Sequence, residues 1–296
     1  MGAIAVDDNL RAMETPQLDV TDRGYLYGDG VFETVRVYCG VPFALDAHLE
    51  RLTDALTRLA MPAPARSVLR RRVERTLAAA GLQDAVLRIV CSRQGAGFGM
   101  APSPRTDAVR TVTMVLPLPR FPERFYTDGK RLHLVRVPAV EDAPEMVHGI
   151  KTTAALQRVW ALHLARQSGC DDVVLVDRHD RVVEAGSANV FARVEGRWIT
   201  PPLAVGALPG ITRQTLLDLC RADGIPALEA ELSVATLRQA DEIALTSSIQ
   251  EVVGATRVEG AAVGGGRIGP WTRALQERYS RHVRALLDHD AAQATR

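Results

Sequence analysis

The sequence predicts an α/β (α+β) protein of two domains. Strand-like and helix-like segments alternate along the chain, and 296 residues suit two domains of ordinary size. Pro117, Pro119 and Pro122 interrupt the alternation, and three prolines in six residues break any regular element. Residues 1–118 are expected to form a small N-terminal α/β domain, 119–127 a linker, and 128–296 a larger C-terminal domain.

In the first part, residues 31–38 have strand character and run into a Cys39-Gly40 turn. Asp46 is placed to cap a helix that puts Leu49, Leu52, Leu56 and Leu59 on one face. A second helix is expected over 66–80, stopped by Gly81, a residue suited to the left-handed position after a helix end. Strands are expected at 85–92 and 111–116.

The second part opens with a strand at 132–137 and an acidic loop at 141–145. A helix is expected from Lys151 to about Gln167. Segments 172–176 and 181–184 flank Asp177-Arg178-His179-Asp180, and 190–194 and 198–200 flank Glu195-Gly196, so each pair reads as a hairpin. A helix follows Gly210-Ile211-Thr212 and ends at Gly224. A strand at 242–245 runs into Thr246-Ser247-Ser248, and Pro270 stands at the first position of a final helix. Gly264-Gly265-Gly266 lacks a following Lys-Ser/Thr and reads as a hairpin turn rather than a phosphate loop.

Composition excludes several partners. A net charge of +1 makes no electrostatic case for nucleic acid or an anionic membrane. No apolar run approaches the ~20 residues that span a bilayer, and the acidic first ten residues do not read as a signal peptide. The four cysteines are scattered without metal-ligand spacing, so neither a metal site nor a disulfide framework is expected. A cytoplasmic location is the expectation.

The chain contains two lysines against 34 arginines. Lys130 follows Thr127-Asp128-Gly129 and reads as a solvated turn residue. Lys151 follows His148-Gly149-Ile150, ahead of an apolar stretch. Arginine supplies charge but stays protonated and cannot act as an amine nucleophile. A lysine kept in a half-buried setting suggests a Schiff base with an aldehyde cofactor, and pyridoxal 5'-phosphate is the obvious one. That cofactor needs an amine, a carboxylate for its ring nitrogen, a cation for its phosphate and further phosphate donors. Lys151, Glu184 and Arg51 supply the first three. Ile211 and Thr212, at a helix start where free N–H groups favour an anion, supply donors with Ser247 and Ser248. Taken singly, Glu184 reads as a solvated strand residue, Arg51 as a helix-surface charge, and the others as a cap and a turn.

The segments Tyr27-Gly28-Asp29-Gly30-Val31-Phe32-Glu33-Thr34, His48-Leu49-Glu50-Arg51-Leu52, Gly149-Ile150-Lys151, Glu184 through Phe191, Leu208-Pro209-Gly210-Ile211-Thr212-Arg213 and Asp241-Glu242 through Glu251 carry a resemblance. In content and order they resemble the class IV aminotransferases, the fold-type IV pyridoxal phosphate enzymes. These include branched-chain and D-amino acid aminotransferases and aminodeoxychorismate lyase. The resemblance implies a cofactor held between two domains, usually in a homodimer. It implies that Lys151 is the Schiff-base lysine and proton shuttle, that Glu184 faces the pyridine nitrogen, and that Arg51, Ile211, Thr212 and Ser248 hold the phosphate. Tyr27, Phe32, Thr34, Arg88 and Phe98 would line the substrate side, with Arg88 as partner of the substrate carboxylate. An inward strand arginine paired with some acid is the alternative reading of Arg88.

Within the family, Phe32, and Phe98 and Met100 where a D-specific enzyme carries its carboxylate trap, argue against D-amino acid aminotransferase. Arg88 and Gly97-Phe98-Gly99-Met100-Ala101-Pro102 resemble branched-chain enzymes. Leu156 and Thr34 look more like the lyase, whose glycine-rich-loop arginine is absent. An aminotransferase acting on small-molecule amino acid and 2-oxo acid substrates is preferred, with the lyase as alternative and a non-catalytic binding protein as a remote one.

Overall fold

The computed structural model describes residues 2–94, 99–102, 108–142 and 147–294, without the side chains of 289–294. Among them are Pro117–Pro122 and Lys151, whereas Phe98 and most of the acidic 141–145 loop lie outside. The chain divides into two compact units, one of Met1–Pro119 with Ile150–Ala155, the other of Arg120–Gly149 with Leu156–Arg296.

The first unit holds a six-stranded antiparallel sheet in the order β2 (Asn9–Arg11), β1 (Ala3–Val6), β6 (Val109–Pro117), β5 (Ala85–Arg93), β3 (Gly30–Tyr38), β4 (Val41–Pro42). Along β3, Val31, Glu33, Val35 and Val37 are buried while Phe32, Thr34 and Arg36 are half-exposed. This period of two places a carboxylate on the core face. Helices α2 (Leu45–Arg58) and α3 (Arg66–Ala80) pack against the sheet. Leu49, Leu52 and Leu56 of α2 join Leu69 and Val73 of α3 in one apolar cluster, each buried leucine contributing about 2 kcal/mol. Helix α3 stops at Gly81, whose φ of +62° is the left-handed conformation expected there. The short helix α1 (Arg23–Tyr27) precedes β3.

The second unit is built on a nine-stranded sheet: β12 (Ala227–Glu229), β11 (Arg197–Thr200), β10 (Asn189–Val194), β13 (Glu242–Ser247), β14 (Glu251–Val258), β7 (Lys130–Arg136), β8 (Asp172–Val176), β9 (Val182–Ala185), with β15 (Ala261–Ala262) beside β14. Apolar residues of β7, β8, β9, β10, β13 and β14 form one cluster. A second gathers under helix α5 (Leu156–Gln167), from Ala161 and Ala165 with Val173, Leu175 and Val183. The short helix α7 (Val234–Arg238) follows β12, helices α6 (Ile211–Ala222) and α8 (Pro270–Ala294) pack together, and α8 begins at the expected proline.

Several elements depart from expectation. Asp46 lies inside the first turn of α2, not at its cap; Ala44 holds that position at φ +51°, and the Asp46 carboxylate pairs with Arg70. Leu59 ends α2 as its cap residue. Lys151 precedes its helix by one turn, because residues 151–153 pair with β3 instead. Lys130 is buried rather than solvated, paired with Asp172. Strand β6 runs through Pro117, and Arg124–Thr127 form the short helix α4, so this stretch is not featureless. The triple glycine follows β15 and does not join two strands; the β14–β15 turn is Glu259-Gly260.

Candidate active site

Lys151 is strapped to the edge of β3. Its carbonyl accepts the N–H of Phe32 at 2.9 Å, Thr153 N–H donates to Gly30 O at 2.9 Å, and Thr152 bridges to Val31. The Thr153 hydroxyl adds a bond to Gly28 O at 2.8 Å. Gly28 is required here twice over. Its φ is +66°, and an added Cβ would come within 3.0 Å of Ala154 Cα and Cβ. The Tyr27-Gly28-Asp29-Gly30 run thus lets the lysine segment lie flat against the strand. Lys151 Nζ sits 4.7 Å from the centroid of the Phe32 ring.

On the core face of β3, Glu33 is 1% exposed and takes two bonds from Arg51, from Nε at 2.6 Å and Nη2 at 2.7 Å. His48 Nδ1 lies 2.8 Å from its Oε2. Burial pushes the Glu33 carboxyl up, but the His48 and Arg51 bonds outweigh it and hold the pKa down at about 2. Burial lowers the His48 pKa, opposed by Glu33 and reinforced by the Arg51 and Lys151 charges, so the neutral ring donates from Nδ1. Arg51 is therefore no loose surface charge. Its fork is oriented by a buried carboxylate, and its Nη1 is not needed for that bidentate pair.

Phe32 and Thr34 share the other face of β3 with Arg88 of β5, which lies directly opposite Thr34. The Arg88 guanidinium carbon is 4.0 Å from the Phe32 ring centroid, and burial lowers its pKa. Among the described residues no carboxylate forms a salt bridge with it. Tyr27 lies at the end of α1, its ring against Arg23. Arg23 in turn binds Asp29 at 2.8 Å and the carbonyls of Gly99 and Met100 at 2.8 and 2.7 Å. It thereby holds the backbone of Gly99 and Met100; Phe98 itself lies outside the described residues.

In the second unit Glu184 is the penultimate residue of β9 and is 2% exposed. Arg158 of α5 and the Leu208 N–H, at 3.2 Å, bond its two oxygens. Asn189 donates to Leu208 O at 2.9 Å and lies so close to Gly210 that an added Cβ would meet Asn189 Oδ1 at 1.9 Å. Gly210 has an ordinary φ of −70°, so glycine is demanded by this approach and not by the backbone. Helix α6 then opens with no side-chain cap, leaving the amides of Ile211 and the buried Thr212 at its positive end. Ser247 ends β13 and its Oγ accepts the Gln250 N–H at 3.2 Å. Ser248 follows, half-buried, in the turn to β14.

The expected residues thus divide between the units: Lys151, Arg51, Phe32, Thr34, Arg88 and Tyr27 in the first, Glu184, Ile211, Thr212, Ser247 and Ser248 in the second. Glu33, His48, Arg158 and Asn189 were not singled out from sequence. The alternation of Val31, Glu33 and Val35 was a usable signal, since it puts a carboxylate on an apolar face where it must find partners. His48 precedes Arg51 by three residues, one helix-face step. The donor chemistry fits pyridoxal phosphate: an amine beside an aromatic ring, an oriented guanidinium, a buried carboxylate, and an uncapped helix start.

The class IV amino-transferase family model matches residues 30–258. A putative branched-chain-amino-acid aminotransferase of Methanocaldococcus jannaschii is 31% identical over 89% of this chain and 90% of its own length. The D-alanine aminotransferase of Listeria monocytogenes is 27% identical over 95% and 96%. Among solved structures, the Escherichia coli branched-chain amino acid aminotransferase superposes with a TM-score of 0.86 at 24% identity, over 93% and 92% of the two chains. A hypothetical aminotransferase of Mycobacterium tuberculosis in its PLP-bound form gives 0.83 at 26%, over 94% and 97%.

Proposed function

The chain belongs to the class IV aminotransferases and depends on pyridoxal phosphate, and we propose that Lys151 is the amine that holds the cofactor aldehyde between turnovers and is freed when the substrate amine takes its place, in a reaction that passes an amino group between an amino acid and a 2-oxo acid. The attachment of the Lys151 segment to β3, with Nζ beside the Phe32 ring, is the observation that supports this assignment most. The relatives named above are aminotransferases, and the pyruvate-eliminating lyase is not favoured.

Bound pyridoxal phosphate supplies a ring that draws off the electron pair left when a substrate Cα loses its proton. The rest is the work of side chains. Lys151 Nζ, once freed, would take the Cα proton and return it to the carbon on the far side of the transferring nitrogen. Glu184, desolvated and oriented by Arg158 and Leu208 N–H, holds a proton at the ring nitrogen. Arg51, aimed by Glu33, binds the phosphate with the amides of Ile211 and Thr212 and the hydroxyls of Ser247 and Ser248. Arg88 binds the substrate carboxylate. Phe32, Thr34, Tyr27 and Phe98 bound the substrate side.

The test is spectroscopic. The purified protein should be yellow, and its absorbance should shift on adding L-leucine, L-glutamate or D-alanine. Borohydride reduction followed by peptide mapping should place a pyridoxyl group on the peptide containing Lys151. An unchanged shift in Lys151→Ala refutes the assignment. Pyruvate release from aminodeoxychorismate, without amino transfer from any of the three amino acids, would favour the lyase instead.

We further propose a cytoplasmic homodimer. Four cysteines without a disulfide suit a reducing compartment. Leu156, Val159 and Trp160 expose one apolar stripe on α5 that a second copy would cover. Light scattering on the eluting protein measures the mass directly, and a monomer would refute the dimer.

A further inference from the structure

Lys130 plays no part in the assignments above, yet it is a buried and tightly held cation of the second unit. It opens β7 with its side chain 2% exposed. Nζ donates to Asp172 Oδ2 at 2.8 Å and to Gln250 Oε1 at 2.6 Å, and lies 5.1 Å from the Phe125 ring centroid. Asp172 is itself buried, and its Oδ1 lies where a Cβ on Gly186, two residues beyond Glu184, would come within 2.8 Å.

The second contact reaches further. Ser247 of β13 pairs with Glu251 of β14, so residues 248–250 form the whole connection between the two strands. Gln250 anchors that connection twice: its N–H donates to Ser247 Oγ at 3.2 Å, and its side chain accepts from Lys130. Glu251 closes it at φ +59°, a conformation a non-glycine residue adopts only when its surroundings impose it. Ser248 thus lies between Ser247 and Gln250, which the N–H to Oγ bond ties together.

We infer that Lys130 is a positioning residue for the cofactor phosphate: through Gln250 it fixes the turn that presents Ser248. The inference rests on the assignment of Ser248 as a phosphate donor. It also accounts for a lysine in a chain that otherwise uses arginine. A compact ammonium meets a carboxylate, an amide oxygen and a ring face at one buried point, a geometry that a broader, planar guanidinium would have to rearrange.

A structural ion pair alone would stabilise the fold without favouring one ligand. The experiment therefore compares pyridoxal phosphate with pyridoxal, which lacks the phosphate. Both are titrated into cofactor-stripped protein, and unfolding midpoints are measured on the same samples. Gln250→Ala leaves the Lys130–Asp172 pair intact and releases only the turn. Lys130→Met removes both contacts, and if it fails to fold, Gln250→Ala decides alone. In Gln250→Ala the Kd for pyridoxal phosphate should rise at least tenfold, while that for pyridoxal stays within twofold. A pyridoxal phosphate Kd within twofold of wild type, or equal shifts for both aldehydes, overturns the inference and leaves the assigned function standing. A wild-type protein that binds the two aldehydes equally well overturns the phosphate assignments, and this inference with them.

Discussion

Arg51 sets Nε and Nη2 against the two carboxylate oxygens of Glu33, at 2.6 and 2.7 Å, on the core face of β3. A bidentate pair of this kind fixes the plane of the guanidinium as well as its position. It also commits a carboxylate to the interior, so the pair must stay charged and complete. Its loss leaves a buried ion without a partner, which costs about 3–5 kcal/mol in comparable cases.

The first prediction concerns acid. The folded Glu33 carboxyl titrates at about 2 against 4.5 for the ordinary group. As pH falls, the unfolded chain takes up this proton first. The stabilisation is complete above about pH 4.5 and drains away toward pH 2, up to roughly 3 kcal/mol in all. Urea unfolding between pH 7 and 2.5 should show a shallower decline for Glu33→Gln, from a lower stability at pH 7. Parallel curves for the two proteins would contradict this account.

His48 predicts a second window. Its folded pKa lies below 6.5, because burial and the charges of Arg51 and Lys151 disfavour the imidazolium more than Glu33 favours it. The unfolded ring again protonates first, so its contribution is complete above pH 6.5 and shrinks below it. His48→Gln keeps a donor for Glu33 but cannot titrate. The stability change between pH 7 and 5 should be smaller in this variant than in the wild type.

Arg88 is expected to act on substrate and not on cofactor. A charge-assisted bond to a substrate carboxylate is worth about 1.5–3 kcal/mol, or roughly ten- to a hundredfold in kcat/KM. Arg88→Leu keeps apolar contact with Phe32 and should lose that factor mainly through KM. Pyridoxal phosphate affinity should stay at the wild-type value. Loss of cofactor binding with unchanged KM would move Arg88 to a different role.

Gly210→Ala should destabilise the second unit by about 1–3 kcal/mol, the usual range for overpacking. The methyl group would meet Asn189 Oδ1 at 1.9 Å while the backbone angle stays permissible. Asn189→Ala in the same chain removes the clash, so the double variant should be more stable than the sum of the single changes predicts. Additive unfolding free energies would show that the strain lies elsewhere.

Much of the site was legible because its signals are local. A lysine among arginines, a glycine before a helix start and a carboxylate at a strand end are visible within a few residues. Arg51 shows what local reading omits. Its helix and its neighbours were apparent, but not that Glu33, eighteen residues earlier, would orient it. Likewise Arg158 reads as one more helix arginine until α5 brings it to Glu184.

The sequence by itself determined the family and the elements with strong punctuation, such as α3 ending at Gly81 and α8 beginning at Pro270. Periodicity and cap chemistry act over one or two turns, so they survive without knowledge of the fold. Only the tertiary structure decided that Lys130 is buried, that Lys151 joins the edge of β3 and that β14 runs through the middle of a sheet. A charged side chain reads alike whether water or a distant carboxylate surrounds it, and strand pairing draws on residues far apart along the chain.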